Sequence, residues 1–313
     1  MLALLQTEAR QRGLPSCVLT FEPHPRDYFA ALTKKPDLAP ARIGTLRDKL
    51  SELAACGVAQ TIVLPFDGRL ASQSPEDFIQ NVLVDGLGAR YVLVGDDFRF
   101  GAKRAGDYAM LDAAGDARGF DVARMNSYEV HGLRVSSSAV REALAEGRMA
   151  DAQTLLGRPY TISGHVVHGR KLGRALGASA PGQDDGFRTL NLRFKHWKPA
   201  ASGIFAVLVH GLADKPLPGV ANLGVRPSLD ANDVNAGRVL LETHCLEWPS
   251  HLGSEGAYGK IVRVELLHKL HDELRYTSLE ALTAGIAKDG RDARAFFAST
   301  HAETHRQTTR DRI

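Results

Sequence analysis

Cysteine is scarce in this sequence, and what there is cannot be paired. Cys17, Cys56 and Cys245 are odd in number and far apart, which excludes a disulfide framework and any CxxC metal site. No apolar run approaches the roughly 18 residues of a membrane span. An excess of one charge is missing too, since 39 Lys and Arg against 36 Asp and Glu leave +3, evenly spread. That balance argues against a nucleic-acid stripe and against a membrane-surface patch. The opening MLALLQTEARQRG lacks a basic n-region and a cleavage signal, so it reads as an amphipathic helix rather than a signal peptide. There is no GxGxxG, no GxSxG and no HExxH. These absences predict a soluble, cytoplasmic protein with neither nucleic acid nor membrane as partner; its oligomeric state is not legible.

Bulk composition is ordinary. Hydrophobic residues at 44% and charged residues at 24% match globular chains and exclude disordered and fibrous classes. A length of 313 residues suggests two domains, and the grammar of the chain changes near its middle.

Up to Leu156, short β-branched runs alternate with helical patterns. The strand candidates are Cys17–Phe21, Thr61–Phe66, Tyr91–Gly95 and Asp121–Met125, continuous apolar runs of the kind covered on both faces. Thr45 is placed to cap a helix ending at Gly57, and Ser74 to cap another with Pro75 at its first position. Such alternation predicts an α/β doubly wound parallel sheet. In that fold the first strand is central, and the turn after it contacts phosphate. Here the chain opens on a helix, so the sheet is expected to lack its first strand.

After the breaker Gly157-Arg158-Pro159 come strand-like runs at Thr161–Gly169, Thr189–Phe194, Gly203–Leu212, Val239–Leu246 and Lys260–Leu267, separated by turns such as KPLPG. With helices only at the end, Ser278–Lys288 and Asp292–Ala298, the pattern predicts a small antiparallel β-barrel. The expected division is therefore 1–156 and 157–298, with a frayed tail over 299–313.

Several stretches are candidates for chemistry. GSEGAYGKI has the wrong spacing for a phosphate loop, and Ile261 stands where a metal-binding hydroxyl would be. His165/His168 and His268/His271 are spaced by three, which on strands sends the two rings to opposite faces. TFEPHPRDYF (Thr20–Phe29) follows a strand end, where α/β sheets bind ligands, and its prolines stiffen the turn around His24. The loop Gly95–Asp107 also follows a strand end, and carries Asp97, Phe98 and Arg99 among glycines. It suits a ring system and phosphates. Ser136 and Ser137 stand at a helix N-terminus with Arg141 one turn in, the elements of an anion site.

At these motifs the chain resembles the bacterial bifunctional riboflavin kinase/FMN adenylyltransferase (FAD synthetase) family along nearly its whole length. TFEPHP, RIGTLRDKLSELAACGV, VGDDFRFGAKRAGD, VSSSAVREAL, LLGRPYTISGHVVHGRKLGRALG, GFRTLN, ANLGVRPS, LLETH and AYGKIVRVEL stand in family order. The resemblance implies an N-terminal nucleotidyltransferase domain that adenylylates FMN and a C-terminal barrel that makes FMN from riboflavin, with ATP as co-substrate and Mg²⁺ as cofactor. The family's PTAN stretch falls on Arg188-Thr189-Leu190-Asn191, so Thr189 and Asn191 carry over as Mg²⁺ and phosphate ligands. A hydroxyl and an amide oxygen two apart on a strand share one face, and hard oxygens suit Mg²⁺. Gly164, Lys171, Gly173 and Arg174 match the flap over the phosphates. Glu242 of LLETH matches the catalytic base; inside an apolar strand it is expected to be buried, with its pKa raised toward useful basicity. Asn222 and Arg226 match a flavin-binding turn. In the other half, His24, Asp97, Phe98 and Arg99 match the flavin wall, and Ser136, Ser137 and Arg141 the ATP phosphate site.

Two departures accompany the resemblance. The family's GxFDGVHxGH segment is not in the chain, from which little FAD formation is expected. An added ASAPGQDD (Ala178–Asp185) stands beside the phosphate strand, where it is expected to form a surface loop able to impede flap closure. The alternative reading is a catalytically impaired protein that binds flavin or nucleotide.

Overall fold

The computed structural model describes residues 1–125, 129–130, 133–168, 189–193, 199–225, 239–253 and 255–310. Contacts divide the chain into two units: Met1–Pro40 with Lys49–Arg134, and Ala41–Asp48 with Val135–Ile313.

The first unit alternates helix and strand. Its elements are α1 (Leu2–Arg12), β1 (Cys17–Glu22), α2 (Pro25–Leu32), α3 (Leu46–Ala55, shared with the second unit), β2 (Gln60–Pro65), α4 (Gly68–Ser72), α5 (Pro75–Phe78) running into a π-helical stretch at Ile79–Gly86, β3 (Tyr91–Gly95), α6 (Tyr108–Arg118) and β4 (Asp121–Met125), with a short hairpin β5 (Glu129–Val130) and β6 (Leu133–Arg134) at its end. Ser74 caps α5, its hydroxyl accepting the Asp77 amide, with Pro75 in the first turn. β1 pairs with β2 and β3 with β4, both in parallel. Among the described residues no strand joins the two pairs. They still share one core, because Leu19 and Phe21 of β1 pack against the cluster holding Val94, Leu111 and Phe120. α1 also ties them. Its Gln6 donates to the Cys56 carbonyl beyond α3, while Arg12 bonds Asp121 at 2.9 Å and lies over the Tyr91 ring. α1 is a helix as expected, but not an amphipathic one in use: none of its residues is buried, and polar contacts hold it.

In the second unit, α7 (Ser137–Ala145) and α8 (Met149–Leu156) precede six strands, β7 (Tyr160–Val167), β8 (Thr189–Arg193), β9 (Gly203–His210), β10 (Leu217–Val225), β11 (Val239–Cys245) and β12 (Ile261–His271), and the chain ends in α9 (Leu279–Arg310). The strands close into an antiparallel barrel in the order β10-β11-β8-β7-β12-β9. Gly157 ends α8 in the left-handed region at φ 70, which glycine adopts without strain. Leu144, Ala152 and Leu155 pack into the barrel core beside Tyr160 and Ile162, so by packing α7 and α8 go with the barrel. The segment before α3 does so too. Thr45 and Asp48 bond reciprocally across the helix start, and the second Asp48 oxygen accepts the Ser163 amide of β7 at 2.9 Å. Burial of Tyr160, with Asp48 nearby, pushes its phenol far above the usual range.

β9 reads as a continuous apolar run because both its faces are covered. Phe205, Val207 and Val209 fill the barrel, while Ile204 and Ala206 lie under α9 with Ala293, Phe296 and Phe297. β10 is a strand where turns were expected. Pro218 sits at its start, where the ladder tolerates a missing donor, and its carbonyl still accepts from Leu246. α9 is likewise one helix rather than two, continuing to Arg310 through the stretch expected to fray. No proline interrupts it, and Lys288 and Asp292 pair across the expected break. GSEGAYGKI leads into β12, not into a helix, so it is no phosphate loop.

β12 carries register shifts after Leu266 and after Lys269, and these upset the simple alternation expected for His268 and His271. His268 stacks on Phe296. His271 bonds Asp289 of α9 at 2.8 Å and the Asp272 carbonyl at 2.7 Å. Desolvation lowers the His271 pKa, but the Asp272 carbonyl and the Asp289 carboxylate outweigh it and leave it above the ordinary 6.5. A raised histidine pKa stabilises the fold fully below 6.5, and the contribution is lost as pH rises through the folded-state value. Melting of the protein should therefore occur at falling temperature above pH 6.5, and Asp289→Asn should flatten that dependence in thermal unfolding followed by circular dichroism. An unchanged slope in Asp289→Asn would remove this pair as its cause.

Candidate active site

The site expected in the barrel is assembled by strand register. Asn191 of β8 lies directly opposite Glu242 of β11, and Glu242 opposite Asn222 of β10. Directly opposed residues of an antiparallel ladder project to the same face, with β-carbons about 5 Å apart. One residue along, the row Leu192–Leu241–Leu223 is buried at 0%, 0% and 1% exposure and fills the barrel. The row Asn191–Glu242–Asn222 therefore belongs to the outer face. Thr189 joins it two residues from Asn191, opposite His244. The shared face expected for Thr189 and Asn191 is thus present.

Glu242 itself corrects an expectation: it is exposed, not buried. β11 alternates strictly, with Val239, Leu241, Thr243 and Cys245 inward, and burial pushes the Cys245 thiol up to about 12. The outward positions include Leu240, which made the strand look apolar throughout.

Asn191 is only 5% exposed, and its Nδ2 donates to the Thr189 carbonyl at 3.2 Å. Asn222 Nδ2 donates to Glu273 Oε1 at 3.0 Å. Its Oδ1 is buried and has no hydrogen-bond partner among the described residues. For a divalent cation, the Thr189 hydroxyl and the Asn191 amide oxygen are hard neutral donors on one face. Among the described residues no cluster of three His, Cys, Asp or Glu side chains competes for it. Mg²⁺ is held in enzymes by few protein groups and completed by substrate phosphates and water, so this donor set fits it.

Gly164 lies within β7 opposite Val262, and not in the segment that follows. A β-carbon there would meet Leu192 Cδ2 at 3.3 Å, so core packing accounts for the glycine. Lys171, Gly173, Arg174, Arg226 and the Ala178–Asp185 insertion lie outside the described residues.

In the first unit, His24 caps α2, its Nδ1 accepting the Arg26 amide at 3.2 Å, which fixes the ring at the end of β1. After β3, Asp97 and Arg99 are exposed. Arg99 pairs with Asp107 at 3.1 Å, and Phe98 stacks on buried Phe100. The backbone amide of Met110 holds the Asp107 carboxyl below the usual carboxylate range, with Arg99 adding to the effect. Gly106 is required here, since a β-carbon would meet the Phe100 ring at 2.7 Å. In the second unit, Ser136 caps α7 by accepting the Ala139 amide, and Ser137 is exposed. Arg141 Nε donates to the Ala41 carbonyl at 2.6 Å, and another guanidinium nitrogen to the Ser137 carbonyl at 3.1 Å. Part of its bonding capacity thus holds the 41–48 segment.

Glu273 was not legible as a partner of Asn222. It lies in the charged stretch HDELR after β12, which in sequence looks like a solvated turn; only the fold brings it against Asn222.

The chain is thus an α/β unit with exposed polar loops at its strand ends and a closed antiparallel barrel bearing a row of hard-oxygen side chains. The family model described as FAD synthetase matches residues 1–139, and that described as riboflavin kinase matches 156–297. The bifunctional riboflavin kinase/FMN adenylyltransferase of Escherichia coli (strain K12) is 43% identical over 297 residues, covering 95% of this chain and 87% of the relative. Those of Pseudomonas fluorescens and Haemophilus influenzae are 40% and 39% identical, covering 95% and 94% of this chain and 88% of each relative. A solved structure described as a macrolide-efflux protein from Streptococcus pneumoniae matches with a TM-score of 0.69 at 24% identity, over 94% of this chain and 88% of that one, and speaks for the fold alone. The chain belongs to the bifunctional riboflavin kinase/FMN adenylyltransferase family. It is an enzyme of flavin biosynthesis, and nothing in these likenesses favours the impaired alternative. Among the described residues no helix is long and apolar enough to cross a membrane.

Proposed function

We propose that the outer-face row of the barrel is the riboflavin kinase site, with riboflavin and ATP as substrates, FMN as product and Mg²⁺ as cofactor. The observation that carries this reading is the register that sets Asn191, Glu242 and Asn222 side by side with Thr189, inside the region matched as riboflavin kinase. Glu242 is the catalytic base: its carboxylate accepts the proton of the terminal ribityl hydroxyl as that oxygen attacks the γ-phosphorus of ATP, and ADP leaves. Thr189 and Asn191 would hold Mg²⁺, which neutralises charge on the phosphates when bound. Lys171, Gly173 and Arg174 are assigned to the ATP phosphates, and Asn222 and Arg226 to riboflavin, whereas Gly164, matched to the same flap, is accounted for by its packing against Leu192. Most of the rate enhancement in such a transfer comes from positioning and charge.

For adenylylation of FMN to FAD, His24, Asp97, Phe98 and Arg99 are assigned to the flavin, and Ser136, Ser137 and Arg141 to the ATP phosphates. By family resemblance the domains of this reading are 1–156 and 157–298, although α7 and α8 pack with the barrel, and its location is cytoplasmic. Purified protein should be given riboflavin or FMN as sole flavin with ATP and Mg²⁺, and the products separated by chromatography. FMN from riboflavin and FAD from FMN are the expected products; the match to FAD synthetase over residues 1–139 supports the second and replaces the expectation of little FAD formation. Failure of the first reaction alone would overturn the barrel assignment, and failure of the second the assignment of the N-terminal residues.

A further inference from the structure

The Asn222 side chain is half used. Its Nδ2 is committed to Glu273 Oε1 at 3.0 Å, whereas its Oδ1 is buried and without a partner among the described residues. A buried acceptor left unpaired is costly and calls for an explanation. The amide cannot simply turn over, because that would set Oδ1 against the Glu273 carboxylate. Gly224, two residues on, supports the same contact from below. A β-carbon at that position would stand 2.5 Å from Glu273 Oε1, so the bare glycine leaves room for the carboxylate to reach Asn222. The result is an acceptor of fixed orientation beside Glu242 in the same outer-face row.

We propose that Glu273 is a positioning residue: by holding Asn222 Nδ2 it presents Oδ1 to a secondary hydroxyl of the ribityl chain, and so sets the terminal hydroxyl against Glu242. This rests on the reading of the row as the riboflavin kinase site. The chemistry of the substrate suits it. A polyol offers several O–H donors in series, and two row positions about 5 Å apart match hydroxyls one or two carbons apart along such a chain. Glu242 takes the terminal one and Asn222 an inner one, which makes the attacking oxygen's placement depend on two points rather than one. Glu273 touches neither substrate nor reacting atoms.

The test compares Glu273→Ala, Glu273→Gln and Glu242→Gln in steady-state riboflavin phosphorylation, with riboflavin and with an analogue lacking one secondary ribityl hydroxyl. Glu273→Ala should lower kcat about tenfold, the scale of a positioning error, while its melting temperature stays that of the parent, since Glu273 is exposed. Glu273→Gln retains an acceptor for Asn222 and should recover most of the rate. For at least one of the deoxy positions, removal of the hydroxyl should slow the parent strongly and Glu273→Ala little, because the contact is already lost there. Equal rates for Glu273→Ala and the parent, or equal impairment of the Ala and Gln variants, would overturn the proposal. So would analogue penalties of the same size in parent and Glu273→Ala at every deoxy position. Normal turnover by Glu242→Gln would overturn the site reading and this proposal with it, whereas an impaired Glu242→Gln beside a normal Glu273→Ala overturns this proposal alone.

Discussion

Replacing Glu242 by Gln should lower kcat for FMN formation by about 100-fold or more, the range expected on losing a general base, with little change in the melting temperature. Both halves of that expectation come from the same geometry. Glu242 is on the outer face of β11 and exposed, so an isosteric neutral side chain leaves no cavity and strands no charge in the core. In the proposed mechanism its place between Asn191 and Asn222 is where the attacking hydroxyl loses its proton. The amide can still accept a hydrogen bond, so riboflavin binding should be kept while the chemical step fails. Steady-state kinetics with riboflavin, set beside direct binding measurements, separates the two. A variant that bound riboflavin normally and turned over at the parent rate would take Glu242 out of the mechanism.

Truncating Phe205 to Ala should have the opposite signature. Phe205 is fully buried at 0% exposure in the barrel core, on a strand flanked on both sides by β10 and β12. Removing a buried phenyl ring costs about 3–5 kcal/mol, transfer and cavity together, against a total stability of about 5–15 kcal/mol. For a unit of this size each kcal/mol moves the melting temperature by roughly 2–4 °C, so a fall of roughly 6–20 °C is expected in calorimetry. Below that temperature kcat should be close to the parent's, because the ring faces away from the site row. By contrast Leu274→Ala, at a residue 58% exposed, should shift melting hardly at all. If the Phe205 variant melted within 2 °C of the parent, the closed, filled barrel would be the wrong description of this unit.

What could be read from the sequence divides along physical lines. The strands of the first unit were legible because they are short apolar, β-branched runs, although Val94 is the one residue of β1 to β4 that is buried, and the starts at Thr45 and Ser74 because capping leaves local signals. β9 was legible as a continuous apolar run because it is covered by the core on one side and α9 on the other. β10 was not, since Pro218 and Gly219 look like turn residues until the register places them at the rim of the barrel. The break assigned within the last helix failed because Asp289 and Gly290 resemble a stop, whereas buried Ala293 and the Lys288–Asp292 pair carry the helix on. At the site, motif resemblance found Glu242, but its burial was misjudged because Leu240 on the outer face hid the alternation. Glu273 lay beyond reach, since a charged stretch after a strand carries no mark of the partner that the barrel's closure brings to it. Arg141 shows the converse: a guanidinium expected to serve an anion is seen bonded to the carbonyls of Ala41 and Ser137.

The most direct measurement is the stoichiometry of products from riboflavin, ATP and Mg²⁺, with ADP and FMN quantified in the same reaction. The account predicts one ADP for each FMN in the parent protein, both abolished by chelation of the metal and both lost together in Glu242→Gln. ADP released without FMN, or riboflavin bound tightly with neither product formed, would contradict a phosphoryl-transfer site on the outer face of this barrel.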